Sequence, residues 1–221
     1  MLRRVVNQSR HLKIFPQPRK STHPELFIKN DEVTPLITKK EYSDRRSNVM
    51  AQVFLANREY DTEHEEPLSF SKRAPHKSLI VLAGNSLQYM SNDIPYEFIQ
   101  NSDFYYLTGC TQSNAVLVIE TTRGRDCQSF LFLPKADDQD QVFYGEQPSL
   151  DEFGDFYGID NVRPDTELLT FLKKSIENEN QYVQIHTNQA TPSNFDVQMR
   201  FLRPFLNSIR GQSNVEIHWQ E

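Results

Sequence analysis

The sequence predicts an α/β fold, a mixed β-sheet with helices packed on it. Three observations carry that expectation. Apolar runs at residues 78–83 (Leu79, Ile80, Val81, Leu82) and 115–120 read as strands, the first continuous enough to be covered on both faces. Segments beginning near Thr38, Asp165 and Ser193 repeat their apolar residues at helical spacing instead. The two patterns follow one another as helix, three strands, helix, strand, helix, strand, with no internal repeat.

With 221 residues and 37% hydrophobic content, the chain has room for one full core plus some length that does not pack. No run approaches the roughly 20 apolar residues needed to span a bilayer. The net charge of −6 is unevenly spread. Residues 1–24 hold Arg3, Arg4, Arg10, Lys13, Arg19 and Lys20 and no acid, so removing those six bases takes −6 to −12. An acidic body has no attraction for a phosphate backbone, which argues against nucleic acid as a partner. Cys110 and Cys127 have neither metal nor redox spacing. They read as small buried residues beside strands, in a reducing compartment.

The basic segment reads as a mitochondrial transit peptide. It is Arg-rich and acid-free, carries Ser9, Ser21 and Thr22, and places Leu2, Val5, Val6 and Leu12 on one side of a helix. An ordinary basic tail has the same composition. With an extended lead-in at 26–36, the expected division is 1–30 for transit peptide and lead-in, and 31–221 for the domain.

Within the domain, Thr38 opens the first helix, with Glu41 completing a capping box. Tyr42, Val49, Met50, Val53 and Phe54 form its inner stripe, and Asp44, Arg45 and Arg46 lie mostly off it. Residues 58–76 read as a flexible inserted loop. Its Glu63, His64, Glu65 and Glu66 form a solvated charge run, since nothing rigid would hold them as metal ligands. Gly84-Asn85-Ser86 is a turn without the second glycine or the lysine of a phosphate loop. Residues 129–133 pair antiparallel with 115–120 through a hairpin-like link at 122–125. Asp165 caps a helix to about residue 177, with Leu168, Leu169, Leu172 and Ile176 inward. A strand at 182–186 and a helix at 193–209 follow. That helix turns Met199, Phe201, Leu202, Phe205, Leu206 and Ile209 inward and is kinked or divided at Pro204. Residues 215–219 form the last strand.

The most distinctive stretch is residues 89–110. Phe98, Phe104, Tyr105, Tyr106 and Leu107 are too dense for a solvated loop, and Asn92, Asp93, Asn101, Ser102 and Asp103 are turn and cap formers. A loop, a short helix at 95–100 and an extended segment ending at Gly109 are expected. On that geometry Phe104 and Tyr106 fill the core and Tyr105 points the other way.

Asn101-Ser102-Asp103-Phe104-Tyr105-Tyr106-Leu107-Thr108-Gly109 resembles the N-terminal domain of the aminopeptidase P family, the Xaa-Pro aminopeptidases. The preceding Tyr89-Met90-Ser91-Asn92-Asp93-Ile94-Pro95-Tyr96 resembles its mitochondrial, type 3 branch. The likeness extends weakly from about residue 32 to about 219, and includes Phe143, Gly145 and the Gly158-Ile159-Asp160 turn. It implies the creatinase/aminopeptidase P N-terminal fold. It also implies an enzyme whose two manganese ions sit in a separate catalytic pita-bread domain, in cis or in a neighbouring subunit of a homo-oligomer. By the same resemblance, Tyr105 lines the substrate entrance, and Asp103 and Tyr96 join it as entrance or interface candidates.

The chain itself shows no such catalytic constellation. His11, His23, His64, His76, His186 and His218 are scattered outside any His-Glu-x-x-His pattern. His186 and His218 lie at strand ends and are placed to approach one another. Ser102 lacks a Gly-x-Ser-x-Gly elbow, and Cys110 has no identifiable base. The expectation is therefore a non-catalytic domain of a Xaa-Pro metalloaminopeptidase, with no catalytic or metal residue of its own. A free-standing inactive domain that binds partner subunits or peptides fits the same residues.

Overall fold

The computed structural model describes residues 17–62, 77–91, 94–122, 126–135, 148–177, 182–210, 212 and 214–220. Its strands are β1 (Glu32–Thr34), β2 (Ile37–Thr38), β3 (Lys77–Ala83), β4 (Tyr89–Ser91), β5 (Ile94–Pro95), β6 (Val116–Thr122), β7 (Asp126–Leu133), β8 (Asn161–Pro164), β9 (Val183–Asn188) and β10 (Val215–Gln220). Its helices are α1 (Lys39–Thr62), α2 (Ser102–Thr108), α3 (Leu150–Tyr157), α4 (Leu168–Ile176), α5 (Phe195–Val197) and α6 (Arg203–Ile209), with a π-helical turn, Gln198–Leu202, joining the last two.

One mixed sheet organises the molecule, in the order β10-β9-β3-β6-β7-β8. β10, β9 and β3 run parallel, β6 pairs antiparallel with β3 and with β7, and β8 runs parallel to β7. Alternation along β3 divides two cores, as a pleated strand requires. Leu79, Val81 and Ala83 join Leu168, Leu172, Phe201, Phe205 and Ile209 on one face. Ile80 and Leu82 join Tyr42, Met50, Phe104, Leu107, Phe153 and Tyr157 on the other. The expected mixed sheet covered by helices is therefore present, with α4, α5 and α6 on one side and α1, α2 and α3 on the other.

Several local expectations need correction. Residues 26–36 are not simply extended. A 3-10 turn (Pro24–Leu26) leads into β1, which folds back on β2 through Leu36 at φ 70°. α1 continues to Thr62, past the helix end expected at 57; residues 63–76, with the acid cluster and His64, lie outside the described residues. So do 123–125 and 136–147, which include the hairpin link and the expected Phe143 and Gly145 positions, and Asn92 and Asp93. β8 is a strand that the sequence did not announce. Asp165 does not cap its helix; it is buried in a 3-10 turn, 3.7 Å from Arg200. Met199 is exposed, because the π-helical turn ahead of Pro204 rotates it off the inner face. The Arg203 amide reaches back five residues to the Gln198 carbonyl there. Cys110 is buried as expected, whereas Cys127 is exposed on β7.

Arg46 departs furthest from its expected place. It is buried on α1, where its guanidinium donates to the Leu107 carbonyl at 3.0 Å and the Gly158 carbonyl at 2.6 Å. It thus fastens the end of α2 to the turn after α3. No helix of the described residues is long and apolar enough to cross a membrane.

Candidate functional site

The aromatic stretch folds differently from its expected form. Residues 96–101 are not helical, and Ser102–Thr108 is the helix. Asn101 Oδ1 accepts from the Phe104 amide at 3.0 Å, an N-cap that fixes where the helix begins. Gly109 ends it at φ 66°, and a Cβ there would lie 2.7 Å from the Tyr42 ring, so only glycine fits. Thr108 Oγ1 donates to the Phe104 carbonyl at 2.7 Å and accepts from the Cys110 amide at 3.0 Å, closing the last turn.

Helical rather than strand periodicity then sorts the side chains. Phe104, Leu107 and Thr108 point into the core. Tyr105 is 39% exposed and Tyr106 is 53% exposed, against 0% for Phe104. The core role of Phe104 stands; that of Tyr106 does not, because residues two apart no longer share a face. Asp103 is exposed in the first turn, where a carboxylate complements the helix dipole, but the cap is Asn101. Arg45 braces the outer face. It donates to the Tyr106 carbonyl at 3.2 Å and lies 4.6 Å from the centre of the Tyr106 ring.

The segment before the helix is tied down through one side chain. Gln100 Oε1 accepts from the Asn85 amide at 2.7 Å and the Asn101 amide at 3.0 Å. Its Nε2 donates to the carbonyls of Cys110 at 3.2 Å and Gln112 at 3.0 Å. Asn85 Nδ2 donates to the Ile99 carbonyl at 2.9 Å. β4 and β5 form a small hairpin, Tyr89 opposite Pro95, and the Tyr96 amide bonds the Gln88 carbonyl at 2.8 Å. Tyr89, Met90, Ile94, Tyr96 and Ile99 are all exposed. With Tyr105 and Tyr106 they concentrate large apolar side chains on one exposed stretch of the chain. Tyr105, Asp103 and Tyr96 all reach solvent here.

Burial pushes the Cys110 thiol up to about 11 and raises the Tyr157 and Tyr42 hydroxyls above their ordinary range. The structure does bring His186 and His218 together. They are register partners on β9 and β10, with stacked rings 5.0 Å apart. Gln184 Nε2 donates to His218 Nε2 at 2.8 Å, and the Glu216 carboxylate lies 3.5 Å from that nitrogen. Burial, then the neighbouring His218, lowers the His186 imidazole to about 4. Among the described residues no group of three or more His, Cys, Asp and Glu side chains is placed to hold a metal ion.

Comparison with known proteins identifies the family. A family profile described as "Aminopeptidase P, N-terminal domain" matches residues 42–201. The chain is 30% identical over 188 residues to Xaa-Pro aminopeptidase 3 of Rattus norvegicus, covering 80% of this chain and 34% of that protein. It is 27% identical over 184 residues to Intermediate cleaving peptidase 55 of Saccharomyces cerevisiae, covering 81% and 32%. A protein of Arabidopsis thaliana named "Intermediate cleaving peptidase 55, mitochondrial" is 27% identical over 165 residues, 75% of this chain and 28% of that one. The chain thus spans about a third of the length of these relatives. Among solved structures, aminopeptidase P from E. coli superposes with a TM-score of 0.59 at 20% identity, over 83% of this chain and 37% of that one. That likeness concerns the fold.

Proposed function

This chain belongs to the family of aminopeptidase P N-terminal domains, and from that premise we propose that it is the non-catalytic domain of a mitochondrial Xaa-Pro metalloaminopeptidase. Its work is to shape the entrance to an active site carried by a separate catalytic domain, in cis or in a neighbouring subunit of a homo-oligomer. The observation that carries this reading is α2, a helix whose inner side is core and whose outer side offers Tyr105 and Tyr106 to solvent. Flat, stiff aromatics of this kind bury much area with little side-chain freedom to lose. Tyr105 bounds the entrance, and Tyr96 and Asp103 flank it. The two manganese ions implied for the whole enzyme would be held by the catalytic domain, where such a pair would supply water activation and oxyanion stabilisation.

The test uses two proteins. In the full-length enzyme, Tyr105→Ala lowers kcat/KM for an Xaa-Pro peptide at least tenfold, with manganese content unchanged. An unchanged kcat/KM removes Tyr105 from the entrance. The 221-residue chain alone neither cleaves that peptide nor binds manganese tightly in calorimetric titration. Metal-dependent turnover by that chain overturns the non-catalytic reading.

A further inference from the structure

The composition that suggests a transit peptide runs to residue 24, but the structure seats part of that segment in the domain. Gln17 is fastened at both ends of its carboxamide. Nε2 donates to the Val33 carbonyl at 3.0 Å. Oε1 accepts from the Thr111 amide and hydroxyl, each at 3.2 Å, and from the Tyr157 hydroxyl at 3.4 Å. Those partners belong to β1, to the segment that follows α2 and to α3, and Val33 and Tyr157 are fully buried. Downstream, the His23 amide bonds the Arg19 carbonyl at 2.7 Å, Lys20 Nζ donates to the Ile28 carbonyl at 2.8 Å, and Phe27 is buried. Burial lowers the affinity of Arg19 for its proton, with the charge of Glu152 acting in the opposite direction.

We propose that Gln17 anchors a strap that survives import processing, and that the presequence is removed within residues 1–16. Pro16 and Pro18 bracket Gln17, so an amphipathic helix of the kind an import receptor reads cannot run through it. A cut beyond Gln17 would instead strip partners from Val33, Thr111 and Tyr157. The strap therefore belongs to the working domain, tied to the segment that leaves the aromatic helix. The division of the chain moves accordingly, from residue 30 to residue 16.

This inference rests on the mitochondrial reading for the cut, but not for the strap, and the experiment separates the two. The natural protein is recovered from purified mitochondria and its N terminus is sequenced. A first residue among 3–17 is expected. A first residue beyond 17, or a chain that begins at Met1 or Leu2, overturns the proposed cut. Absence of the protein from mitochondria overturns the cut together with the import reading. The strap is tested on the 221-residue chain by thermal denaturation. Gln17→Ala lowers Tm by about 3–8 °C at the size-dependent sensitivity of such chains, whereas Lys20→Ala, which removes an exposed contact, leaves it in place. An unchanged Tm for Gln17→Ala overturns the strap.

Discussion

Replacing Arg46 by Met is the sharpest test of how the aromatic helix is held. Met keeps the apolar stem and fills similar space, but withdraws both donors. The Leu107 carbonyl at 3.0 Å and the Gly158 carbonyl at 2.6 Å then lose this partner in a site that is 2% exposed. Each hydrogen bond to a charged group contributes about 1.5–3 kcal/mol net. Against this, the native protein carries the cost of desolvating a guanidinium, which the variant does not. Burial lowers the affinity of Arg46 for its proton, with the charge of Asp160 acting in the opposite direction. Offsetting these effects leaves a destabilisation of about 3 kcal/mol, and at roughly 2–4 °C per kcal/mol for a chain of this size Tm falls by about 6–12 °C. Arg46→Lys, with one compact ammonium in place of a fork, falls between the two. Arg45→Met is the internal comparison. Its ion pair with Glu41 and its contact with Tyr106 lie at the surface, where such a pair contributes less than about 1 kcal/mol. The assay is thermal denaturation of the 221-residue chain followed by circular dichroism near neutral pH. A Tm within about 2 °C of wild type for Arg46→Met, or an equal loss for Arg45→Met, would refute the reasoning.

Two further outcomes follow from the buried titrating groups. The His186 imidazole is held down to about 4, below the ordinary value of about 6.5 expected in the unfolded chain. Between those values the unfolded chain takes up a proton that the folded chain refuses, so stability falls as pH drops from about 6.5 toward 4 and is insensitive to this group above 7. Urea titrations across that window show a limb that His186→Gln flattens; equal slopes in the two proteins would sink the assignment. The thiols separate by burial: iodoacetamide labels the exposed Cys127 on the native chain, while Cys110 is labelled only in denaturant. Peptide mapping that finds both labelled at the same native rate contradicts the position of Cys110.

The centre of the sheet was legible because its strands are buried on both faces. Leu79 to Leu82 have no polar side on which to vary, and that run fits a central strand better than a surface element. β8 was not legible for the opposite reason. Asn161–Pro164 is a short edge strand whose proline suits an edge but gives no apolar run, and its pairing with β7 is decided by tertiary contact. The aromatic stretch stands out in the sequence, but the geometry its pattern suggests is not the one it adopts. Three consecutive large aromatics suggested alternation, but the deciding signals were local and small. Asn101 followed three residues later by Phe104 formed the cap, and Gly109 supplied the left-handed end. Arg46 reads as lying off the inner stripe because its charge alone argues for solvent. The structure shows what lets it stay inside, since carbonyls that end one helix and one turn converge on it. The clasp by Gln17 was hidden by composition, which blends a packed residue into the basic segment around it.

The difference between strand and helix at residues 102–108 changes what the surface does. In a strand, Tyr105 would share its outward face with Asp103 and Leu107 while Tyr106 was buried. In the helix, Tyr105 and Tyr106 are both exposed, and Arg45 sits over one of them. Both ends are then fixed: Asn101 caps the start, and Gly109 and the Arg46 guanidinium hold the finish. Gln100 ties the approach to Asn85, Cys110 and Gln112, so the loop carrying Tyr96 and Ile99 enters the helix from an anchored point. An aromatic face presented this way loses little conformational freedom when something docks against it, so more of its contact energy remains for binding. That rigidity, more than any single ring, is what the proposed entrance role would draw on.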